Sequence, residues 1–117
     1  MSVKVQGVII DCADPHALAA FWSRILHAPV GRDEPTWATV DAANVRIAFQ
    51  QVPEPRTGPK NRVHLDLDTD DLDGSVVHAR EAGATVLTGV IEEGEGAFVV
   101  LQDPEGNEFC FVSGYTS

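Results

Sequence analysis

The same local plan occurs twice along this chain. Gly7-Val8-Ile9-Ile10-Asp11-Cys12-Ala13-Asp14 and His64-Leu65-Asp66-Leu67-Asp68-Thr69-Asp70-Asp71 are alternating runs of equal length, each ending on an aspartate that opens a helical segment. A hairpin-like tail follows each helical segment. The tails correspond as well, Asp41 to Phe49 reading like Asp103 to Phe111 at a constant offset of 62 positions. A duplicated strand-helix-strands unit predicts two similar half-sheets side by side, with equivalent side chains converging on one shared cleft.

With 117 residues the chain is expected to form a single domain, with module one over 1–52, a linker over 53–61 and module two over 62–117. The formal net charge of −10 argues against a nucleic-acid partner, whose phosphates would be repelled. An acidic surface often means only solubility, whereas carboxylates lining a cavity would suit a cationic ligand. No apolar run has the length of a membrane span, and the N-terminus lacks a basic-then-apolar signal pattern. Two cysteines without such a signal are expected as thiols in a reducing cytoplasm.

Val3 to Cys12 reads as a strand, and Asp14-Pro15 as a helix start with an N-cap carboxylate and proline at the first helical position. Leu18, Phe21, Trp22 and Ile25 then form one apolar stripe, which Pro29 and Gly31 are expected to stop. Thr36 to Val40 and Val45 to Gln51 are expected strands around a turn at Asp41-Ala-Ala-Asn44, with a weaker strand near Pro29 to Arg32. In module two, Val63 to Asp68 is a strand. A helix follows from about Asp71 to Ala82, with Leu72, Val76 and Ala79 inward and Gly83 as its stop. Thr85 to Ile91, Ala97 to Leu101 and Glu108 to Val112 complete the sheet. Between them lie an acidic loop, Glu92-Glu-Gly-Glu-Gly96, and a tight turn, Asp103-Pro-Glu-Gly-Asn107. The fold class is therefore α+β: two βαβββ modules forming a curved mixed sheet around one cleft, with the helices on the outer face.

Successive strand residues point to opposite faces. Val63, Leu65 and Leu67 belong under the helices, which leaves His64, Asp66 and Asp68 on the other side. The same split sends Phe109 and Phe111 inward and turns Glu108, Cys110 and Val112 towards the cleft. Their counterparts facing the cleft are Arg46, Ala48 and Gln50, together with Gly7, Ile9 and Asp11 of the first strand. The expected lining is Asp11, Arg46, Gln50, His64, Asp66, Asp68, Glu108 and Cys110, polar and net acidic. Trp37, by parity with Thr39, adds a stacking wall. The plainer alternative is a sheet face that simply meets water.

Three motifs, Asp14-Pro-His-Ala-Leu-Ala-Ala-Phe-Trp22, Val63-His-Leu-Asp66 and Asp103-Pro-Glu-Gly-Asn107, occur in this order and spacing. In them the chain resembles the vicinal oxygen chelate superfamily of glyoxalases, bleomycin-resistance proteins and extradiol dioxygenases. With Ala48-Phe-Gln50 and Asn107-Glu-Phe-Cys110 it is most similar to the small glyoxalase-like members of unassigned activity. The resemblance implies paired modules around a U-shaped cleft, commonly in a homodimer. It also implies a divalent metal held by one residue from each of four cleft strands, and carried over by position those sites are Gly7, Ala48, His64 and Cys110. Val8 is the alternative for the first and Gln50 for the second. Glycine and alanine offer no side-chain donor, so no metal site of that kind is expected. Were a metal bound, His64 with Cys110 or Asp66 would hold it, and the cysteine would favour zinc.

His64 beside Asp66 reads either as a general base polarised by a carboxylate or as a histidine hydrogen-bonded for structure. Cys110 reads either as a nucleophile activated by His64 or as a small apolar filler. These two are the catalytic candidates. Arg46 and Glu108, at equivalent positions, are expected to pair with each other. Phe21 and Trp22 read as core. Arg56, Lys60 and Arg62 read as a solvated loop or an anion clamp, and His16, His27 and His78 as surface residues with no evident partner. The leading expectation is metal-independent binding of a small organic molecule, cationic or aromatic, with no cofactor, no nucleic acid and no membrane. The alternatives are a metal-dependent lyase, isomerase or dioxygenase using His64, and a noncatalytic interaction module.

Overall fold

A computed structural model of the chain describes residues 2, 5–58, 61 and 63–115. The expected strand start at Val3 and the basic residues Lys60 and Arg62 lie outside these described residues. The chain divides into two compact units, Met1–Arg56 and Thr57–Ser117, here called module one and module two.

Module one runs β1 (Gly7–Cys12), α1 (Pro15–Leu26), β2 (Val30–Glu34), β3 (Trp37–Asp41) and β4 (Arg46–Gln51). Asp14 caps α1 by accepting the Ala17 N–H at 3.2 Å, and Pro15 occupies the first turn, where its missing N–H costs nothing. The helix ends earlier than proline and glycine would have ended it. His27 adopts the left-handed conformation (φ 50°) and its N–H bonds back to the Ser23 carbonyl, so the stop is a local cap two residues before Pro29. Leu18, Phe21, Trp22 and Ile25 are buried against Cys12, Ala38, Val40, Ile47 and Phe49. Trp22 meets Phe21 edge to face at 5.4 Å. The sheet order is β1-β4-β3-β2. β1 pairs with β4 in parallel and the remaining neighbours are antiparallel.

Module two repeats the plan with β5 (Leu65–Asp68), α2 (Leu72–Ala82), β6 (Thr85–Val86), β7 (Ile91–Glu93), β8 (Gly96–Gln102) and β9 (Glu108–Ser113). Asp71 caps α2 through the Gly74 N–H, and Gly83 closes it at φ 119°, a conformation that disfavours any side chain. The sheet order is β5-β9-β8-β6 with β7 also on β8, and β5 is parallel to β9. The single strand expected from Thr85 to Ile91 is divided in two. The Leu87 and Thr88 N–H groups both donate to the Val100 carbonyl, and the Val100 N–H donates to Thr88 Oγ1, so a side chain interrupts the ladder. The acidic loop shrinks accordingly, with Glu92 and Glu93 in β7 and Gly96 opening β8. Each module thus has its own mixed sheet.

The turn between β8 and β9 is held from within. Asp103 is buried, and its carboxylate accepts the Glu105 and Asn107 N–H groups and the Asn107 side-chain amide, all at 2.9 Å. This fixes where β9 begins, and therefore which of its residues stand opposite β5.

Candidate functional site

Alternation holds through β5 and β9. Phe109 and Phe111 are buried, while Glu108, Cys110 and Val112 are half-buried on the other face. In the parallel ladder Asp66 is the register partner of Cys110 and Asp68 of Val112. His64 immediately precedes β5. The chain just upstream is tied to β9 by Asn61, whose side-chain amide donates to the Glu108 carbonyl at 3.0 Å and whose carbonyl oxygen accepts the Glu108 N–H at 3.4 Å. His64 Nε2 lies 3.1 Å from Asp66 Oδ1, with both side chains about half exposed.

A hollow of about 480 Å³ opens over this face, lined by His64, Asp66, Glu108 and Cys110 together with Glu93, Phe98, Val100, Val112 and Tyr115. Its floor is apolar, from β8 and β9, and its rim carries three carboxylates. The negative field registers on Tyr115. Desolvation first, and then the charges of Glu93, Glu95 and Asp66, hold its phenol above the ordinary value of 10.0. One ligand atom each from His64, Asp66 and Cys110 lie within 4.8 Å of one another, and neither cysteine is disulfide-bonded.

The corresponding face of module one forms a smaller hollow of about 270 Å³, lined by residues 5–9 of the first strand and its approach together with Trp37, Arg46 and Ala48. Arg46 is engaged within its own module. Its Nε donates to Asp41 Oδ1 at 3.3 Å, because the β3–β4 register places these two opposite each other. Asp11 and Gln50 are exposed register partners on β1 and β4, and neither they nor Asp68 line these two hollows. His16 is not partnerless either, since its Nδ1 sits 2.8 Å from Asp33 on β2. His78 is half-buried rather than a surface residue.

Sequence reasoning placed Val112 on this face but missed Glu93, Phe98, Val100 and Tyr115 as lining residues. Phe98 and Val100 were reachable by the parity argument used for Cys110, since Phe98 is opposite Val112 and Val100 opposite Cys110. Tyr115 gave no signal, because it follows the last strand.

The four-strand metal shell implied by the resemblance does not fit these residues. Its positions in module one are Gly7 and Ala48, a hydrogen and a methyl group. Val8, the alternative for the first, adds no donor, and Gln50, the alternative for the second, is outside the module-one hollow.

Duplicated βαβββ modules, with a ligand-sized hollow over one sheet face, define a glyoxalase-like fold. The chain belongs to the glyoxalase-like domain family, whose model matches residues 7–112. It is similar in structure to a glyoxalase/bleomycin resistance protein/dioxygenase family enzyme from Burkholderia phytofirmans, with TM-score 0.85, 23% identity and coverage of 97% of this chain and 100% of that one. It is similar also to the genomically encoded fosfomycin resistance protein of Listeria monocytogenes (TM-score 0.80, 14% identity, coverage 98% and 96%). A hypothetical protein from S. aureus gives TM-score 0.79 at 15% identity, with coverage of 97% and 95%. At these identities the likeness is one of fold. No curated protein matches the sequence. No helix among the described residues is long and apolar enough to cross a membrane.

Proposed function

We propose that this protein binds a small organic cation with an aromatic or otherwise apolar body in the module-two hollow, without the family's four-strand metal shell. One observation carries this reading: three carboxylates, Asp66, Glu93 and Glu108, stand around an apolar floor of Phe98, Val100 and Val112. A volume of about 480 Å³ falls in the range that encloses drug-sized ligands. The apolar floor rewards burial of a ring, and the acidic rim favours positive charge while rejecting anions. Relatives of the same fold include a named fosfomycin resistance protein, which is consistent with a sequestering or detoxifying role.

Thioflavin T, a cationic aromatic dye, tests this in buffer containing EDTA. Its fluorescence rises on binding with a saturable midpoint, Asp66→Asn and Glu108→Gln weaken it several-fold, and added salt weakens it further. The anionic dye anilinonaphthalene sulfonate binds worse. Equal binding of the two dyes, or indifference to both substitutions, would remove the acidic-hollow reading. The homodimer expected from the resemblance is part of the same proposal, and sedimentation equilibrium measures it.

A further inference from the structure

Resting on the acidic hollow assigned above, we propose that Tyr115 and Phe98 seat a quaternary ammonium group within it. The ligand class is then an N-methylated cation with an apolar body, rather than a primary amine or a guanidinium.

Two glycines put the tyrosine in place. Gly114 turns the chain at φ 86°, a left-handed conformation that other residues rarely adopt, and so returns Tyr115 to the sheet it has just left. A Cβ on Gly96 would stand 2.7 Å from the Tyr115 ring, so the ring lies directly against the start of β8. Phe98 is two residues further along β8 on the same face, a step of about 7 Å. Both side chains line the hollow, and both rings remain accessible: Tyr115 is 38% exposed and Phe98 is half-buried. A cation seated between them meets both within the ~6 Å over which a ring face attracts positive charge.

Charge surrounds the same place. Glu93 is the register partner of Gly96 on β7, which sets a carboxylate beside the ring. Desolvation, and then Glu93, Glu95 and Asp66, hold the Tyr115 phenol above its ordinary value, so carboxylates from both flanks of the sheet reach the ring. Among the described residues lining the hollow, none is lysine or arginine. The floor beside the rings is Val100 and Val112, whose side chains accept no hydrogen bond. A primary ammonium or guanidinium seated there would bury N–H donors without acceptors, which weakens it. A quaternary ammonium presents only methyl groups, so it gains the ring faces and the surrounding charge without that penalty. The seat is also unduplicated. Trp37, opposite Gln50, takes the ladder place in module one that Phe98, opposite Val112, takes in module two, but the chain has a single tyrosine. The expected stoichiometry is therefore one cation per chain.

Benzyltrimethylammonium and benzylammonium test this, because at neutral pH they share one ring and one positive charge and differ only in N-methylation. Each is titrated calorimetrically into the full chain in buffer containing EDTA. The expected result is one benzyltrimethylammonium per chain, bound at least about tenfold more tightly than benzylammonium. Its N-methyl proton resonance moves upfield on binding, as ring faces require. Tyr115→Leu and Phe98→Leu each cut the preference to about threefold or less, and Tyr115→Phe keeps it. Far-ultraviolet circular dichroism of every variant separates loss of the seat from loss of the fold. Equal affinities, or binding of neither amine at millimolar concentration, would overturn the seat. An N-methyl resonance that does not move, or a preference unchanged in both leucine variants, would do the same. Equal affinities that are both weakened by Asp66→Asn would remove the aromatic seat and leave the acidic hollow standing. Binding of neither amine, with thioflavin T indifferent to Asp66→Asn and Glu108→Gln, would remove both.

Discussion

Asp66 and Cys110 face each other across the parallel β5–β9 ladder, and the matching pair in module one is Ile9 facing Ala48. Duplication supplied the same backbone twice, yet only one copy carries donors at that step. The chemistry of this fold is therefore lopsided: module two holds the acidic hollow and the His-Asp-Cys cluster, while module one offers Trp37, Arg46 and apolar surface.

The single tyrosine of the chain is a built-in probe of the hollow. Desolvation and then the charges of Glu93, Glu95 and Asp66 raise the Tyr115 phenol above 10.0. Absorbance titration is expected to show tyrosinate forming later than in the unfolded chain, with Glu93→Gln bringing it earlier. A titration in the folded wild type that coincides with the unfolded one would place Tyr115 away from the carboxylates.

His16 Nδ1 lies 2.8 and 2.9 Å from the two Asp33 oxygens. The hydrogen bond to Asp33, then that residue's charge, raise the imidazole pKa above 6.5, with a smaller contribution from Asp14 and an opposing one from desolvation. A raised folded pKa stabilises fully below the ordinary imidazole value, and the effect is lost as pH rises through the folded pKa. The stability gap between wild type and Asp33→Asn is therefore largest on the acid side of 6.5 and closes in alkali. The pair is exposed, so the gap is small. Proton NMR of the His16 ring is the sharper measurement, and an unchanged midpoint in Asp33→Asn would dismiss the pair.

Asp103→Ala removes the buried carboxylate that accepts the Glu105 and Asn107 N–H groups and the Asn107 side-chain amide in a part-buried turn. The expected cost is about 1–3 kcal/mol, read as a melting temperature lower by several degrees. Because the turn sets the start of β9, the same variant is expected to weaken thioflavin T binding. A melt identical to wild type would show that the turn holds without its carboxylate.

Gly96→Ala tests the wall formed by Tyr115. An added Cβ would stand 2.6 Å from the Ser113 carbonyl oxygen and 2.7 Å from the Tyr115 ring, closer than such contacts allow. Ser113 pairs with Ala97 and cannot retreat without opening the β8–β9 ladder. A destabilisation of about 1–3 kcal/mol is expected. Tyrosinate formation should also move back towards the unfolded value as the ring is displaced. Neither change occurring would mean the ring does not lie against Gly96.

Local signals in the sequence were read correctly where the cause was local. Asp14-Pro15 and Asp71 start helices because a carboxylate and the first N–H groups are only a few residues apart, and Gly83 ends one through its own φ. His27 ended α1 unannounced, since a histidine tolerates the left-handed region but does not advertise it. The division of β6 from β7 depends on Thr88 meeting Val100, twelve residues away, and no window along the chain displays that.

The sequence by itself determined the duplicated plan, the N-caps of both helices, the Gly83 stop and the two faces of β5 and β9, because period-two alternation and capping are properties of neighbouring residues. Tertiary structure alone decided the register: Asp66 against Cys110, Arg46 against Asp41, and Phe98, Glu93 and Tyr115 around one hollow. Register is fixed by pairing between segments far apart in the chain, where a slip of one residue would turn every side chain to the opposite face.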